Sequence, residues 1–391
     1  MDRPTFEDLG IYLGSIRALT SGHGLYSFYD HLGGGFTYPP LAALIFWPVS
    51  LVPWSLQVIG TVWAVVILVT VLGGVLVLGR QQVVRQEWLP ALLVITVASQ
   101  PVRDALHFGQ ISPIVSFLAV CAPLMVARPG MPVALAAALK LTPAATWGVW
   151  ILQSRWRFAA ESIATFGVLG ALAWAVMPGE SWAYWSKVLW NTERVGDRAS
   201  LGNNSWLGLA SRHFPEAPAV FIWVTGVLTC LVFVARHAHR ARPGTVDIWT
   251  SVVVGYLLAL IASPVSWTHH ATLIAALAML VALQSRGGRR AAAIACLAVW
   301  MVPIYTLAKA AALWATGVGA LVADLRTVSL LVLFALVLGR HPASTDIPSS
   351  ASSTRGRRAW DLAVYGPGRR ERSGARARGP RPTDGDAAGY Q

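Results

Sequence analysis

"SLQVIGTVWAVVILVTVLGGVLVLG", residues 55–79, contains no charged side chain. As an α-helix rising about 1.5 Å per residue, it exceeds the roughly 30 Å of a bilayer's hydrocarbon layer. Its apolar residues are continuous rather than alternating, so the spanning element they predict is a helix and not a barrel strand. Comparable runs recur near 39–53, 88–100, 110–127, 131–152, 158–177, 217–239, 245–263, 268–284, 289–311 and 318–339. The reading is therefore an all-α polytopic membrane protein with about eleven transmembrane helices, of which 39–53 and 88–100 are the shortest.

Composition agrees. The sequence of 391 residues is 55% hydrophobic and only 13% charged, where a soluble globular chain carries about 25% charged residues. The net charge of +13 lies largely in loops and in the C-terminal tail. No basic folded domain accompanies it, so nucleic acid is not an expected partner, whereas membrane lipid is. Cys121, Cys230 and Cys296 each sit within apolar runs and read as small packed hydrophobes.

Three regions follow: an extracytoplasmic or interfacial segment, 1–38, with an acidic loop; a bundle, 39–339; and a basic tail, 340–391. The tail lacks periodic apolar residues and is expected to be disordered and cytoplasmic. Arg155, Arg157, "HAHRAR" at 237–242 and "SRGGRR" at 285–290 belong on the cytoplasmic side by the positive-inside bias. Alternation then places segment 8–38, the loop 178–217 and "SPVSWTHH" at 263–270 together on the extracytoplasmic face. Arg80 and Arg85 run against this count. The same parity puts 100–110 inside, unless 88–110 bends back.

The polar stretches hold the candidate chemistry. Asp8 and Tyr12 fall one helical turn apart, so they share a face of a short helix. Ile11, Leu13, Ile16 and Leu19 of that helix would lie in the membrane interface. Asp8 reads equally as an N-terminal helix cap and as a base. "QPVRDALHFGQ", 100–110, packs Arg103, Asp104, His107 and Gln110 between two apolar runs, where ionisable groups face a cavity or a partner. Lys140, one of three lysines with Lys187 and Lys309, lies inside an apolar run that Pro143 interrupts. It could receive a phosphate, pair with an acid or snorkel outward. In the loop 178–217, Trp182, Tyr184, Trp185 and Trp190 are mixed with Arg194, Arg198, Asn203 and Asn204. That mixture suits a membrane-interface belt and a sugar-binding surface alike. Trp267, His269 and His270 fall at the mouth of a span; one histidine near a carboxylate could orient it. Adjacent histidines point apart, so they do not form a metal site by themselves.

Taken in order, "DLGIY", "SGHGLY", "FTYPPLAALIFWP", "PVRDALHFGQ", "KLTP", "NNSWLG" and "SPVSWTHH" resemble the membrane glycosyltransferases of the GT-C fold class, in particular glycosyltransferase family 87. The resemblance runs from Asp8 to the last spans and leaves the tail uncovered. It implies a GT-C-type bundle in the cell membrane, with an extracytoplasmic site that moves mannose from polyprenyl-phosphate-mannose to a glycolipid acceptor, a phosphatidylinositol mannoside or lipomannan. A β-linked donor and an α-(1→2)-linked product imply inversion by one direct displacement. The family's acidic loop places the base on Asp8, with His269 or His270 as its helper. Lys140, with Arg103, would steady the leaving phosphate, and Tyr12, Gln110, Asn203, Asn204 and Trp267 would line the substrate site. No cofactor is called for; a divalent cation beside Asp8 is compatible with the sequence, although no ligand cluster argues for one. Members carry a helix before this loop, so a helix missing ahead of Asp8 is the expectation here. An arabinosyltransferase using a similar donor is the nearest alternative, and a lipid or sugar flippase the alternative of another class. The absence of a visible internal repeat argues against the flippase.

Overall fold

The structure is a computed structural model that describes residues 4–31, 33–82, 84–241, 246–303 and 318–339. The predicted tail, 340–391, and the end of the run 289–311 lie outside these residues. The described residues are helical throughout, with two isolated bridges, Tyr29 with Gly35 and Asn203 with Trp267, and no strand.

Among the described residues, three helices are long and apolar enough to cross a membrane: α3 (Leu56–Gln81), α9 (Trp156–Val176) and α12 (Glu216–Arg240). They are mostly exposed, as lipid-facing helices are. Other apolar runs fold as shorter pieces: α2 (Pro40–Ser50), α4 (Leu89–Ala98), α7 (Gly130–Leu139) and α8 (Ala145–Leu152). Prolines explain the cuts. Pro39 and Pro40 open α2, and Pro143 sits in the turn between α7 and α8, where a helix cannot run on because the ring removes a donor and clashes with the preceding turn.

The centre consists of α13 (Ile248–Ala262) and α14 (Ile274–Leu283). Every residue from Ile248 to Ile261 is buried, as is every residue from Ile274 to Ala282. A helix that is apolar on all sides has to be surrounded. Here the neighbours include α8, α15 (Gly287–Met301) and α16 (Val318–Leu338). Asp247 starts α13, its carboxylate accepting from the Thr250 amide at 2.8 Å. The short connection between α13 and α14 carries "SPVSWTHH", so a rigid pair of buried helices presents His269 and His270.

Closest approach is set by one glycine. A methyl group on Gly255 of α13 would lie 2.9 Å from Thr146 Cβ and 3.0 Å from its Cα on α8. Gly255→Ala is therefore expected to push the two helices apart at a cost of about 1–3 kcal/mol. Thermal unfolding of the purified variant in detergent measures it; an unchanged midpoint would mean that α8 yields freely.

The first helix, α1 (Glu7–Thr20), corrects one expectation. Ile11, Leu13 and Ile16 were expected to face lipid, but all three are buried within the protein, as are Leu9 and Tyr12. The reason is docking at both its start and its side. The Phe6 amide donates to the His107 carbonyl at 2.9 Å, and α1 packs along α2, α3 and α5 (Gln100–Phe108). Gly109 ends α5 in the left-handed region, at φ +69°, and a methyl there would meet Leu9 Cβ at 2.9 Å. Segment 4–31 is thus part of the bundle's wall.

Candidate functional site

The polar centre is assembled from breaks in helices. Helix α7 stops at Leu139, and Lys140 is extended, at φ −152° and ψ 116°. Helix α4 ends at Ala98; Ser99 is extended and α5 starts at once. This bend carries 100–110 back to pack against α1, the bent form of 88–110 that the sequence left open. Gln110 follows the left-handed Gly109 and is 3% exposed.

Hydrogen bonds then join residues far apart in sequence. The Tyr38 hydroxyl donates to Gln110 Oε1 at 3.2 Å, and Ser112 Oγ donates to the same oxygen at 3.2 Å. Tyr12 lies 3.0 Å from the Tyr38 hydroxyl; because that hydroxyl already donates to Gln110, Tyr12 is the donor. Lys140 Nζ donates to Ser112 Oγ at 3.2 Å and meets His270 Nε2 at 2.7 Å. It also lies 5.1 Å from the Tyr38 ring centre, a cation–π distance. As an ammonium Lys140 only donates, and opposite it His270 Nε2 is the acceptor. Two of the three Lys140 protons are thereby engaged, which leaves one for a ligand.

Asp8 completes the group. Helix α1 begins at Glu7 with Phe6 before it, and no side chain caps the end, so Asp8 is not the cap. It stands in the first turn, where the helix dipole favours an anion. Burial pushes its carboxyl up from 3.8 to about 6. The Gln110 amide, which hydrogen-bonds it, and the nearby Lys140 charge restrain that rise, while Glu7 and Asp30 add to it. With Oε1 of Gln110 occupied as an acceptor, its NH2 is the group that serves Asp8. Asp8, Tyr12, Tyr38, Gln110, Ser112, Lys140 and His270 therefore form one network, running from a carboxylate with raised pKa to a lysine.

Other sequence candidates stand elsewhere. His269 touches the ring of His270 at 4.8 Å and that of Phe108 at 6.0 Å. Neither histidine is among the groups that act on Asp8. His270 bonds Lys140 Nζ at 2.7 Å. Arg103 is likewise not at the network. Its guanidinium donates to Gln100 Oε1 at 2.5 Å, and Gln100 Nε2 donates to Asp104 at 2.5 Å. Burial raises the Asp104 carboxyl to about 6 against the pull of Arg326.

The hydrogen bonds of Asn203, Asn204 and Trp267 run within the fold, and both asparagines are buried. Asn203 Nδ2 donates to the Arg198 and Pro264 carbonyls, and its Oδ1 accepts from the Ser205 and Ser266 amides. Asn204 Nδ2 donates to the Gly202 and Ser266 carbonyls. The Trp267 indole donates to the Val195 carbonyl at 3.2 Å and covers Gly196 and Gly202. Together they tie loop 195–205 to the connection holding His269 and His270.

The loop 178–217 also grips the N-terminal segment. Arg194 donates to the Tyr26 carbonyl at 2.7 Å and the Phe36 carbonyl at 3.5 Å, bonds the Tyr29 hydroxyl, and lies over the Tyr29 ring. Tyr184 is buried and stacks on Tyr26, while Trp182 and Trp190 stay exposed. Arg194→Ala is expected to free segment 26–36 and speed its proteolysis several-fold, with the bundle's midpoint little changed. Limited proteolysis followed by mass analysis reads this; cleavage at the parent's rate would show that Arg194 does not hold the segment.

Sequence reasoning passed over several residues. Ser112 stood two positions after Gln110, and Tyr38 was visible only within "FTYPPLAALIFWP". Asp324 and Arg326 carried a plain signal, since ionisable groups within an apolar run are costly and partnered. Asp324 binds Arg212 at 2.5 Å and also His213. Arg326 donates to Thr268 Oγ1 at 2.7 Å and to the Val302 carbonyl at 3.0 Å. Among the described residues, no group of three or more His, Cys, Asp or Glu side chains could hold a metal ion.

Comparison with known proteins adds the chain's relatives. The model of Glycosyltransferase family 87 matches residues 36–264, a span that begins after Asp8 and ends before His269. A Mycolicibacterium smegmatis protein, polyprenol-phosphate-mannose-dependent alpha-(1-2)-phosphatidylinositol pentamannoside mannosyltransferase, is 31% identical over 281 residues, covering 68% of this chain and 66% of its own. A Mycobacterium tuberculosis protein, polyprenol-phosphate-mannose-dependent alpha-(1-2)-phosphatidylinositol mannoside mannosyltransferase, is 32% identical over 289 residues, 67% of each chain. The chain thus spans about two thirds of the length of these relatives. No solved structure matches.

Proposed function

This chain belongs to glycosyltransferase family 87, and from that premise we propose that it is a membrane mannosyltransferase using polyprenyl-phosphate-mannose. The acceptor is a lipid-linked mannoside of the phosphatidylinositol mannoside or lipomannan type, and the new bond is α-(1→2). The relatives' names support the donor and the acceptor class. The single observation from this molecule that carries the reading is the Asp8–Gln110–Ser112–Lys140 network.

The chemistry follows from those groups. In an inverting displacement the acceptor hydroxyl attacks the anomeric carbon from the face opposite the phosphate. Its proton passes to the Asp8 carboxylate as the new C–O bond forms. The bond between the anomeric carbon and the phosphate oxygen breaks, and its electron pair stays on the phosphate. A carboxyl held near 6 is ionised at neutral pH yet more basic than an ordinary aspartate, which suits a general base. The third Lys140 proton meets the charge that develops on the phosphate, and Ser112 and His270 fix where it points. Tyr12 and Tyr38 position Gln110, and Gln110 positions Asp8. The site faces the extracytoplasmic side of a bundle of about eleven spans, with the tail in the cytoplasm. No cofactor takes part in this scheme.

The test is transfer itself. Membranes containing the protein, given labelled polyprenyl-phosphate-mannose and a phosphatidylinositol mannoside, are expected to form a glycolipid longer by one α-(1→2)-linked hexose. Label taken into the vesicles without product would favour a flippase, and a pentose-labelled product from the corresponding donor would favour an arabinosyltransferase.

A further inference from the structure

Helices α12 and α16 leave a cavity of about 750 Å³ between them that the proposed reaction does not use. Its walls are apolar, among them Phe221, Phe233, Leu331 and Phe334. One end is different: Arg236, His237 and Arg240 of α12 line it together. Arg236 and Arg240 are one turn apart, on the same face, and both are exposed. Arg289 of α15 reaches the same end, donating to the Leu336 carbonyl at 2.8 Å. His237 hydrogen-bonds the Leu338 carbonyl, with Asp247 as the acid nearby.

The basic end is remote from the reacting groups. Near its start, α12 is pinned to the end of α13 by the Trp223 indole, which donates to the Ala262 carbonyl at 3.0 Å. That is the end of α13 from which "SPVSWTHH" leaves. Arg240 lies 17 residues further along α12, or about 25 Å at 1.5 Å per residue. The cavity from Phe221 to Arg236 runs roughly 22 Å along the helix axis, longer than one leaflet's share, about 15 Å, of the hydrocarbon layer. An apolar furrow of that length, ending in several cations and carried on a membrane-length helix, has the dimensions and charge of one amphiphile.

We propose that this furrow binds an anionic phospholipid of the bilayer, its phosphate between Arg236 and Arg240 and an acyl chain along Phe233 and Phe221. This is a site separate from the donor and acceptor positions at Asp8 and Lys140. Arginine suits the role because its guanidinium meets phosphate oxygens in pairs. The occupant is held by charge at one end and by burial along its length, so a zwitterionic lipid with the same chains binds more weakly.

Native mass spectrometry of the full chain, titrated separately with phosphatidylglycerol and phosphatidylcholine of equal chain length, tests this. The expected result is one tightly retained phosphatidylglycerol. Each arginine beside a phosphate contributes on the order of a fivefold preference, so Arg236→Gln with Arg240→Gln weakens retention roughly 25-fold. Thr229→Trp, which fills the furrow without touching its charge, also weakens it. Arg286→Gln with Arg290→Gln, an exposed pair off the furrow, leaves it unchanged. Equal binding of the two lipids, unchanged binding in the first double variant or in Thr229→Trp, or an equal loss in the control pair would each overturn the proposal. The readout is independent of transfer, so an inactive protein that still selects phosphatidylglycerol would count against the mannosyltransferase reading alone.

Discussion

Asp8→Asn is expected to lower kcat/KM by about 10²–10⁴-fold, the range lost when a positioned general base is removed. The amide keeps the size of the carboxylate and can still accept from Gln110, so the network's shape survives while the proton acceptor is gone. Stability should move the other way, and its sign is fixed by the pKa. The carboxyl titrates at 3.8 ordinarily and at about 6 in the folded protein, so the folded state holds this proton more tightly than the unfolded one. That contribution to stability is present below about 3.8, fades as pH rises to about 6, and the ionised carboxylate is a net cost above it. The variant should therefore melt no lower than the parent at pH 7. For the parent, kcat/KM should fall about tenfold per pH unit below about 6 and be level above. Gln110→Ala removes the hydrogen bond that restrains the rise, so its acid limb should move to higher pH. An active Asp8→Asn protein would end the assignment, and an inactive one that melts well below the parent would point to structure instead.

Lys140→Met is expected to lower kcat by about 10²–10³-fold, the usual cost of losing one group aimed at developing charge. Methionine keeps the length and apolar body of the side chain but supplies no proton to Ser112, His270 or a phosphate. If Lys140 acts on charge that grows as the phosphate leaves, KM stays close to the parent's and kcat carries the loss. A raised KM with an unchanged kcat would show that Lys140 only holds the donor in its ground state. Lys140→Arg should not restore the rate. A planar guanidinium cannot sit as a point charge 3.2 Å from Ser112 Oγ and 2.7 Å from His270 Nε2. Measuring kcat and KM for both variants with the same labelled donor separates the cases.

What could be read from the sequence divides along physical lines. Residues 55–79 declared a membrane helix because continuous hydrophobicity needs no tertiary context, and α3 occupies that run. Asp8 and Tyr12 could be paired because helical spacing is local. Lys140 stood out because a charge inside an apolar run demands a partner. The partner could not be read: Ser112 and His270 lie 28 and 130 positions away. The bend at Ser99 stood only as an alternative, because nothing in "VASQPVRD" distinguishes a crossing from a return and only Pro101 hinted at a boundary. Asn203, Asn204 and Trp267 could not be assigned from sequence for a related reason. Amides and indoles satisfy buried backbone as readily as they satisfy a sugar, and only the partners decide which.

Helices α13 and α14, wrapped on every side, carry a last consequence. A bilayer thicker or thinner than the protein's apolar belt strains the helices that touch it, which tilt or draw in polar flanks to compensate. In this chain α3, α9 and α12 are the long, apolar and mostly exposed helices, while the pair that holds His269 and His270 is buried in protein. Hydrophobic mismatch is therefore absorbed at the periphery, and the transfer rate should tolerate a change of acyl-chain length that visibly alters the tilt of α12.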